Sequence, residues 1–318
     1  MIYLILILFF NIVINQRPED YEQGYLNKIR KKLDGALLTI TDMKFINGMI
    51  RKYKPKKILE VGVASGGSSA IILNAIQNIE NSHLYSIDKL INAFNKKNKE
   101  TGWLVKEKFS YLMNKWTLYT GGITSNFIEK IGGDIDFVFL DTVHYAPGEW
   151  LDILQILPFL KKTNAIVMLH DIRYQFYVKK VFYSSNDHLF TYLRGEKIMP
   201  KVPDVIPNIG AVLLDNNQEK YYFDYFFALT STWSYFPEIE EWNFIRNLLS
   251  KYYSKQLIDI FDSSYKMNKD YKKFLKEEKK EKKIGKKGGG KKGGGKKGSG
   301  KKKSKKKKIR FIKKMIMR

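Results

Sequence analysis

Residues 57–68 read KILEVGVASGGS, and this stretch decides the fold. Residues 57–61 are mostly aliphatic and β-branched, which is typical of a buried strand, and three glycines, at positions 62, 66 and 67, follow where the strand would end. Glycine adopts backbone conformations that other residues avoid, and the N-terminus of a following helix offers unpaired N–H groups to a ligand. The stretch therefore predicts a strand, a ligand-binding loop and a helix from Gly67 to Asn78.

The sequence on both sides continues this alternation of strands and helices. Further apolar runs predict strands at Leu84–Asp88, Trp116–Tyr119, Ile135–Asp141 and Ala165–His170. Near-continuous apolar strands are typical of a sheet that is covered on both faces. We therefore expect an α/β fold with a doubly wound, mostly parallel sheet, preceded by helices at Asp20–Leu33 and Thr41–Tyr53.

The pattern is less regular after the fifth strand. An aromatic-rich insertion is predicted at about residues 173–205, and late strands could lie in Gly210–Leu214 and Tyr221–Leu229. Glu238–Phe261 has the spacing of a helix. The aromatic residues of this region would either cover a ligand-binding pocket or belong to the core.

The formal net charge of +25 is concentrated at the C-terminal end. Residues 266–318 hold 26 of the 57 Lys and Arg but only 4 of the 32 Asp and Glu, which gives them a net charge of +22 and residues 1–265 one of +3. A nearly neutral folded part argues against specific nucleic-acid binding, which needs many Lys and Arg contacts. The Lys/Gly repeats predict a disordered tail over residues 266–318, because they offer little apolar surface to bury.

The chain has no cysteine, which excludes disulfides, thiolate nucleophiles and Cys-bound zinc. Residues 1–16, MIYLILILFFNIVINQ, are apolar but shorter than the roughly 20 residues of a membrane span. They are interpreted as an apolar N-terminal segment ahead of a domain at residues 17–265. We expect a cytoplasmic protein; contact with an anionic membrane, through this segment or the basic tail, and a homo-oligomer are left open.

A carboxylate, Asp88, ends the second predicted strand, 22 residues after Gly66. In that place a carboxylate can accept hydrogen bonds from both hydroxyls of a ribose. Gly62, Ala64 and Gly67 also match a G-x-A-x-x-G variant of the dinucleotide fingerprint, so a nicotinamide cofactor stays open. A tight turn and a surface aspartate are the alternatives that involve no ligand.

Two carboxylates and two imidazoles follow the next pair of strands. Asp141 and His144 come after the fourth strand, and His170 and Asp171 end the fifth. Open α/β sheets bind ligands at the carboxyl ends of their strands, and carboxylates there suit a hard cation such as Mg²⁺. A helix N-cap would explain one of these aspartates but explains two Asp and two His poorly.

These motifs, spread over Lys57–Ile172, together resemble the class I S-adenosylmethionine-dependent methyltransferases. The closest branch is the small-molecule O-methyltransferases of the catechol and antibiotic-sugar types. The family's fold is Rossmann-like, and its cofactor is S-adenosylmethionine. The resemblance implies that the residues binding this cofactor are Glu60, Gly62, Gly66, Gly67, Asp88, Gly122 and Ile123.

The resemblance also implies catalytic roles for Asp141 and for His144, which would act as the general base. Asp141, His170 and Asp171 would hold Mg²⁺ or another divalent cation in metal-dependent members. Such members commonly have Asn after the second Asp, whereas Ile172 stands here, so metal assistance is open. The implied function is methyl transfer to a hydroxyl of a small molecule or glycan. The alternatives are an NAD-dependent oxidoreductase and a non-catalytic module that binds through its basic tail.

Overall fold

The computed structural model describes residues 29–33, 36–173, 185–201 and 207–287. In this part of the chain one sheet contains seven strands. They are β1 (Lys57–Val61), β2 (His83–Asp88), β3 (Trp116–Thr120), β4 (Phe137–Leu140), β5 (Ile166–His170), β6 (Gly195–Ile198) and β7 (Ile209–Leu214).

The strand order is β3-β2-β1-β4-β5-β7-β6. The first five strands in this order pair in parallel, and β7 pairs antiparallel with both β5 and β6. The order reverses between β1 and β4, so the carboxyl ends of these two strands flank the crevice where such sheets bind ligands. The predicted α/β fold with a doubly wound, mostly parallel sheet is confirmed.

Helices connect the strands and extend the chain beyond them. In the described part of the chain, besides the helical residues 29–32, the α-helices are α1 (Ile40–Tyr53), α2 (Gly67–Ile76), α3 (Trp103–Lys108), α4 (Thr124–Ile131), α5 (Gly148–Ile156), α6 (Ser185–Tyr192), α7 (Tyr222–Phe227), α8 (Ile239–Tyr252) and α9 (Lys255–Lys287). Short 3₁₀ turns cover Ser110–Lys115, Leu157–Phe159, Gln218–Tyr221 and Ala228–Thr230. None of the described helices is both long and apolar enough to cross a bilayer.

Helix α1 begins at a reciprocal cap and packs on the sheet beside α2. Thr39 Oγ1 accepts a hydrogen bond from the Asp42 amide at 3.2 Å, and Asp42 Oδ2 accepts one from the Thr39 amide at 2.8 Å. Such a capping box satisfies two amides that the helix leaves unpaired. One core contains fully buried side chains from both helices and from the sheet, among them Ile46, Ile50, Ile71, Ile72, Ile58, Phe137 and Phe139.

The described residues fall into two compact units. The larger one contains the sheet and the described residues up to Tyr225, together with Trp233–Ile258. The smaller one combines Phe226–Thr232 with the chain from Asp259 onward, and there Asn268 Nδ2 donates to the Ser231 carbonyl at 3.0 Å.

Most predicted elements appear within a few residues of their expected bounds. The fourth strand is shorter than the apolar run that predicted it, because Ile135 makes only an isolated bridge with Leu160. Strand β6, inside the predicted insertion, was missed, since its sequence GEKI has little strand character. Residues 1–28, including the apolar segment 1–16 and most of the predicted helix at Asp20–Leu33, lie outside the described part, as do 174–184 and 202–206.

Two expectations for the late region were wrong. Gly210–Leu214 is a strand as expected, but Tyr221–Leu229 forms 3₁₀ and α-helical turns, because its buried residues Tyr225 and Leu229 recur at helical spacing. Glu238–Phe261 is two helices instead of one. The chain is extended at Tyr253, and a new helix begins after Ser254, whose carbonyl accepts from Leu257 and Ile258.

The predicted boundary after Tyr265 falls inside α9, which continues to Lys287. Residues 266–287 of the predicted disordered tail are thus helical in the structure. Two causes favour helix here: Lys and Glu are good helix formers, and buried Phe261, Ser264 and Asn268 give the start of α9 a packed side. Residues 288–318, the rest of the predicted tail, lie outside the described part of the chain.

Candidate active site

A cavity of about 560 Å³ opens at the carboxyl ends of the parallel strands. Its volume is within the range of small-molecule and cofactor sites. Nine of the eleven predicted site residues line it; Glu60 and Gly66 do not. The nine are Gly62, Gly67, Asp88, Gly122, Ile123, Asp141, His144, His170 and Asp171.

The loop at residues 62–67, called the glycine loop below, forms one wall of the cavity. The backbone conformation at position 62 requires a glycine. The residue has a left-handed φ of +91°, and a Cβ there would lie 1.9 Å from the carbonyl oxygen of Asp141. Only glycine lets β1 and the chain after β4 approach so closely. Gly66 caps α2 and faces Gly102 instead of the cavity, because a Cβ on it would lie 3.0 Å from the Gly102 Cα.

Asp88 faces the cavity and is bonded to the same loop. Its Oδ2 accepts hydrogen bonds from the amides of Val63 and Ala64, both at 2.9 Å, and its Oδ1 accepts one from Leu90 at 2.8 Å. The carboxylate thus holds the loop in shape. Each carboxylate oxygen can accept more than one hydrogen bond, so Asp88 can also accept from a ligand hydroxyl.

Glu60 lies behind the loop, where it was not expected. The side chain is fully buried, and it accepts hydrogen bonds from Ser68, Ser69 and Ser86 at 2.5 to 2.6 Å. Its neighbour in register on β2 is Ser86, which also accepts from Trp116 Nε1 at 2.8 Å. Burial outweighs these hydroxyl donors and raises the pKa of Glu60 to about 7. Glu60 therefore supports the loop from inside the protein.

Opposite the loop, a charged cluster follows β4 and β5. His144 Nε2 lies 3.1 Å from Asp171 Oδ2 and 3.6 Å from Asp141 Oδ1, and His144 Nδ1 lies 3.4 Å from Glu149 Oε1. One ligand atom from each of Asp141, His144 and Asp171 lies within 4.8 Å of the others. Two carboxylates and an imidazole at this spacing fit a divalent cation.

His170 belongs to a neighbouring pair and not to that ligand group. Its Nε2 lies 3.4 Å from Asp42 Oδ2, and its Nδ1 lies 3.4 Å from Asp141 Oδ2. Burial opposes the charged imidazole, but the carboxylates prevail and raise the pKa of His170 well above its usual value. The ligand group of Asp141, His144 and Asp171 does not include His170, so the metal-binding role expected of His170 stays a prediction.

The central part of this architecture also matches a known sequence family. Residues 59–172, about a third of the chain, match the model of a methyltransferase domain. These residues form a methyltransferase domain. The match covers the glycine loop, Asp88 and the Asp141–Asp171 cluster, and it confirms the resemblance seen in the sequence. It gives no support to the oxidoreductase alternative.

The methyltransferase domain also resembles solved structures at low sequence identity. TomG, a tomaymycin-synthesis O-methyltransferase of Streptomyces achromogenes solved with SAM, is 13% identical, with coverage of 66% of this chain and 96% of that one and a TM-score of 0.43. An SAH complex of a Bacillus cereus O-methyltransferase is 11% identical, covering 61% and 93%, with a TM-score of 0.44. At TM-scores below 0.5 these likenesses carry no functional argument. No curated protein matches the sequence.

Carboxylates surround His144 in the methyltransferase domain and change its acidity. Burial alone lowers the pKa of an imidazole, but hydrogen bonding to Asp171 and Glu149 and the charge of Asp141 outweigh it and raise the pKa of His144 to about 10. The sequence alone does not show these neighbours of His144. Burial raises the pKa of Asp171, but the imidazoles of His144 and His170 outweigh burial and hold this pKa well below its usual range.

A second polar group lines the cavity beside Gly122 and Ile123. Asp152 on α5 accepts hydrogen bonds from Thr124 and Thr142, both at 2.8 Å. Burial raises the pKa of Asp152 to about 6 despite these two donors. The group connects α4, α5 and the chain after β4, and thereby fixes the end of the cavity where Ile123 lies.

Sequence reasoning missed several residues of the site. Glu149 is fully buried beside His144 and accepts from the Thr142 amide at 3.1 Å. Glu149 and Asp152 lie three residues apart on a helix whose other polar side chain is Gln155, and two acids on so apolar a helix are a signal that could have identified both. Asn208 donates to Asp171 Oδ1 at 2.5 Å, and nothing in its sequence surroundings predicts that contact.

Proposed function

We propose that this protein transfers a methyl group from S-adenosylmethionine to a hydroxyl of a small molecule or sugar. The observation that carries the proposal is that a single cavity is lined by both the glycine loop with Asp88 and the Asp141–His144–Asp171 cluster. In this proposal the side with the glycine loop binds the nucleoside of the cofactor, and the side with the charged cluster accepts the proton of the acceptor hydroxyl. Two such sides in one cavity suit group transfer between two bound molecules. The family match to a methyltransferase domain supports the same reaction.

The residues that would hold the cofactor line one side of this cavity. Gly62 and Gly67 line the cavity in the glycine loop, and Asp88 offers its carboxylate to ribose hydroxyls. Ile123 and the Asp152 group border the adenine end in this proposal. When bound, S-adenosylmethionine supplies a sulfonium-activated methyl group.

The acceptor hydroxyl would lie beside Asp141 and His144. Its O–H bond breaks as the new O–C bond forms, and the proton passes to this pair, whose Oδ1 and Nε2 are 3.6 Å apart. The electron pair of the cleaved S–C bond stays on sulfur. Both groups line the cavity, and Asp141→Asn and His144→Ala test which of them the transfer needs.

Asp141, His144 and Asp171 are also the described residues that would hold a divalent cation. A bound cation would lower the pKa of a hydroxyl that it contacts. Whether the reaction uses one is tested by comparing turnover with and without Mg²⁺.

Cofactor binding is tested by calorimetric titration of S-adenosylhomocysteine into the full chain, with NAD⁺ titrated separately. We expect a Kd on the order of micromolar for S-adenosylhomocysteine, weakened about tenfold or more by Asp88→Asn. Asp136→Asn is a matched control, because Asp136 also accepts two backbone amides, those of Lys56 and Lys57, but lies outside the cavity lining. Binding of NAD⁺ without S-adenosylhomocysteine would overturn the proposal in favour of an oxidoreductase.

Methyl transfer is tested with radiolabelled S-adenosylmethionine and a panel of catechols, phenols and sugars. We expect transfer by the native protein and a loss of about 10²- to 10⁴-fold in Asp141→Asn and His144→Ala. His83→Ala is the control, because His83 does not line the cavity. Full activity of both cavity variants would remove the pair from the mechanism.

We also propose that the basic C-terminal segment contacts an anionic membrane. Lys266, Lys269 and Lys272 are exposed on α9, and the sequence ends in IRFIKKMIMR, which alternates apolar and basic residues. Each Lys near an anionic bilayer contributes about 1 kcal/mol, an attraction that salt screens.

The test is co-sedimentation of the full chain with vesicles of phosphatidylserine and phosphatidylcholine. We expect binding to the anionic vesicles that falls steeply between low and high salt, and little binding to pure phosphatidylcholine. Replacing Lys266, Lys269 and Lys272 by Gln should weaken it. Equal binding to both vesicle types, or no binding, would refute the proposal and leave methyl transfer unaffected.

A further inference from the structure

The backbone of Asp171 is in a conformation that needs support. This residue follows β5 and has a left-handed φ of +53°, although it carries a side chain. Such a conformation is disfavoured for residues that carry a Cβ. The surroundings must therefore hold Asp171 in place, and its carboxylate is part of the proposed acceptor side of the cavity.

One residue, Asn208, makes hydrogen bonds to three successive residues of this segment. Its backbone carbonyl accepts from the Ile172 amide at 3.2 Å, and its Oδ1 accepts from the Arg173 amide at 3.1 Å. Its Nδ2 donates to Asp171 Oδ1 at 2.5 Å. The amide orientation is determined, because only Oδ1 can accept from an N–H and only Nδ2 can donate to a carboxylate.

The two oxygens of the Asp171 carboxylate have different partners. Oδ1 is bonded to Asn208, while Oδ2 lies 3.1 Å from His144 Nε2 and 3.7 Å from His170 Nδ1. Rotation of the carboxylate would break the bond to Asn208. The antiparallel pairing of Ile209 with His170 brings Asn208 to this place, 37 residues away in sequence.

We propose that Asn208 is a positioning residue, which holds the Asp171 carboxylate toward His144 through its Nδ2 donor. The inference rests on the proposed methyl transfer, because it predicts a role in turnover. Asn208 has no proposed part in the chemistry itself. It acts only through Asp171, and small displacements of such a group can lower a rate about 100-fold.

The test compares Asn208→Ala and Asn208→Asp with the native full chain. The aspartate variant keeps an acceptor for the Arg173 amide but loses the donor to Asp171, so it separates the two contacts. We expect both variants to lower kcat about 10- to 100-fold, with the affinity for S-adenosylhomocysteine changed less than about twofold. Asn74→Ala is the control, because Asn74 is a buried asparagine that donates to the Ala70 carbonyl at 2.7 Å on α2.

A spectroscopic readout keeps the inference testable even without turnover. The ¹⁵N signals of the His144 imidazole should move in both Asn208 variants and stay unchanged in Asn74→Ala, because Asp171 Oδ2 contacts His144 Nε2. If the native chain turns over and Asn208→Asp is equally active, the positioning role of Asn208 is refuted and the proposed methyl transfer is not. Absence of turnover in the native chain would refute methyl transfer, and unmoved His144 signals would then refute the role of Asn208.

Discussion

The buried carboxyl of Glu60 predicts a pH dependence of stability that one substitution should remove. The side chain has no exposed surface and accepts three serine hydroxyls, yet burial raises its pKa from 4.5 to about 7. A raised pKa means that the native protein binds a proton more tightly than the unfolded chain does. The stabilisation is therefore complete below pH 4.5 and is lost as the pH rises through 7.

The size of this effect follows from the two pKa values. With 4.5 in the unfolded chain and about 7 in the native protein, the carboxyl stabilises the native state by about 2–3 kcal/mol more at pH 5 than at pH 8. Glutamine has nearly the same shape and no charge at either pH. The free energy of unfolding of Glu60→Gln, minus that of the native protein, should therefore rise by about 2–3 kcal/mol from pH 5 to pH 8.

Urea denaturation followed by circular dichroism at pH 5 and pH 8 measures both free energies. Other buried acids such as Asp152 titrate in both proteins, so the difference between the proteins isolates Glu60. Glu107→Gln, an exposed substitution, controls for general effects of glutamine. The reasoning would be refuted if the difference in free energy of unfolding between Glu60→Gln and the native protein changed by less than about 0.5 kcal/mol, the usual scatter of such measurements, from pH 5 to pH 8.

Three further predictions concern other parts of the structure. Gly62→Ala should abolish S-adenosylhomocysteine binding and lower Tm, because its Cβ would lie 1.9 Å from the Asp141 carbonyl oxygen, whereas Gly133→Ala, with nothing within 4 Å, should change neither in calorimetry. Equal behaviour of the two variants would contradict this. Burial lowers the pKa of Lys197 from 10.5 to about 7, so the free-energy cost of burying this amine is fully present below pH 7 and is lost as the pH rises from 7 to 10.5. Lys197→Met should therefore raise the free energy of unfolding, by roughly 3 kcal/mol more at pH 7 than at pH 10, and a pH-independent gain in urea titrations would count against it. Glu149→Gln should lower kcat about tenfold or more without changing cofactor affinity, since Glu149 Oε1 lies 3.4 Å from His144 Nδ1; unchanged kcat would exclude that role.

The glycine loop and Asp88 were predictable because their chemistry is local. A strand that ends in glycines before a helix, with an acid at the end of the next strand, shows in order along the chain, and both features line the cavity. Glu60 was misplaced because strand residues alternate between two faces, and the sequence does not state which face looks toward the ligand. Its three serine partners are distributed over α2 and β2.

By itself the sequence determined the order of strands and helices, the parallel sheet and the carboxyl-end position of Asp141 and Asp171. These follow from apolar periodicity and from the position of each residue within its own element. Only the tertiary structure decided the partners of those aspartates. Antiparallel pairing of β7 with β5 brings Asn208 to Asp171, and capping of α1 brings Asp42 to His170. Contacts between residues so distant in sequence depend on strand register and helix packing, and no local pattern encodes either one.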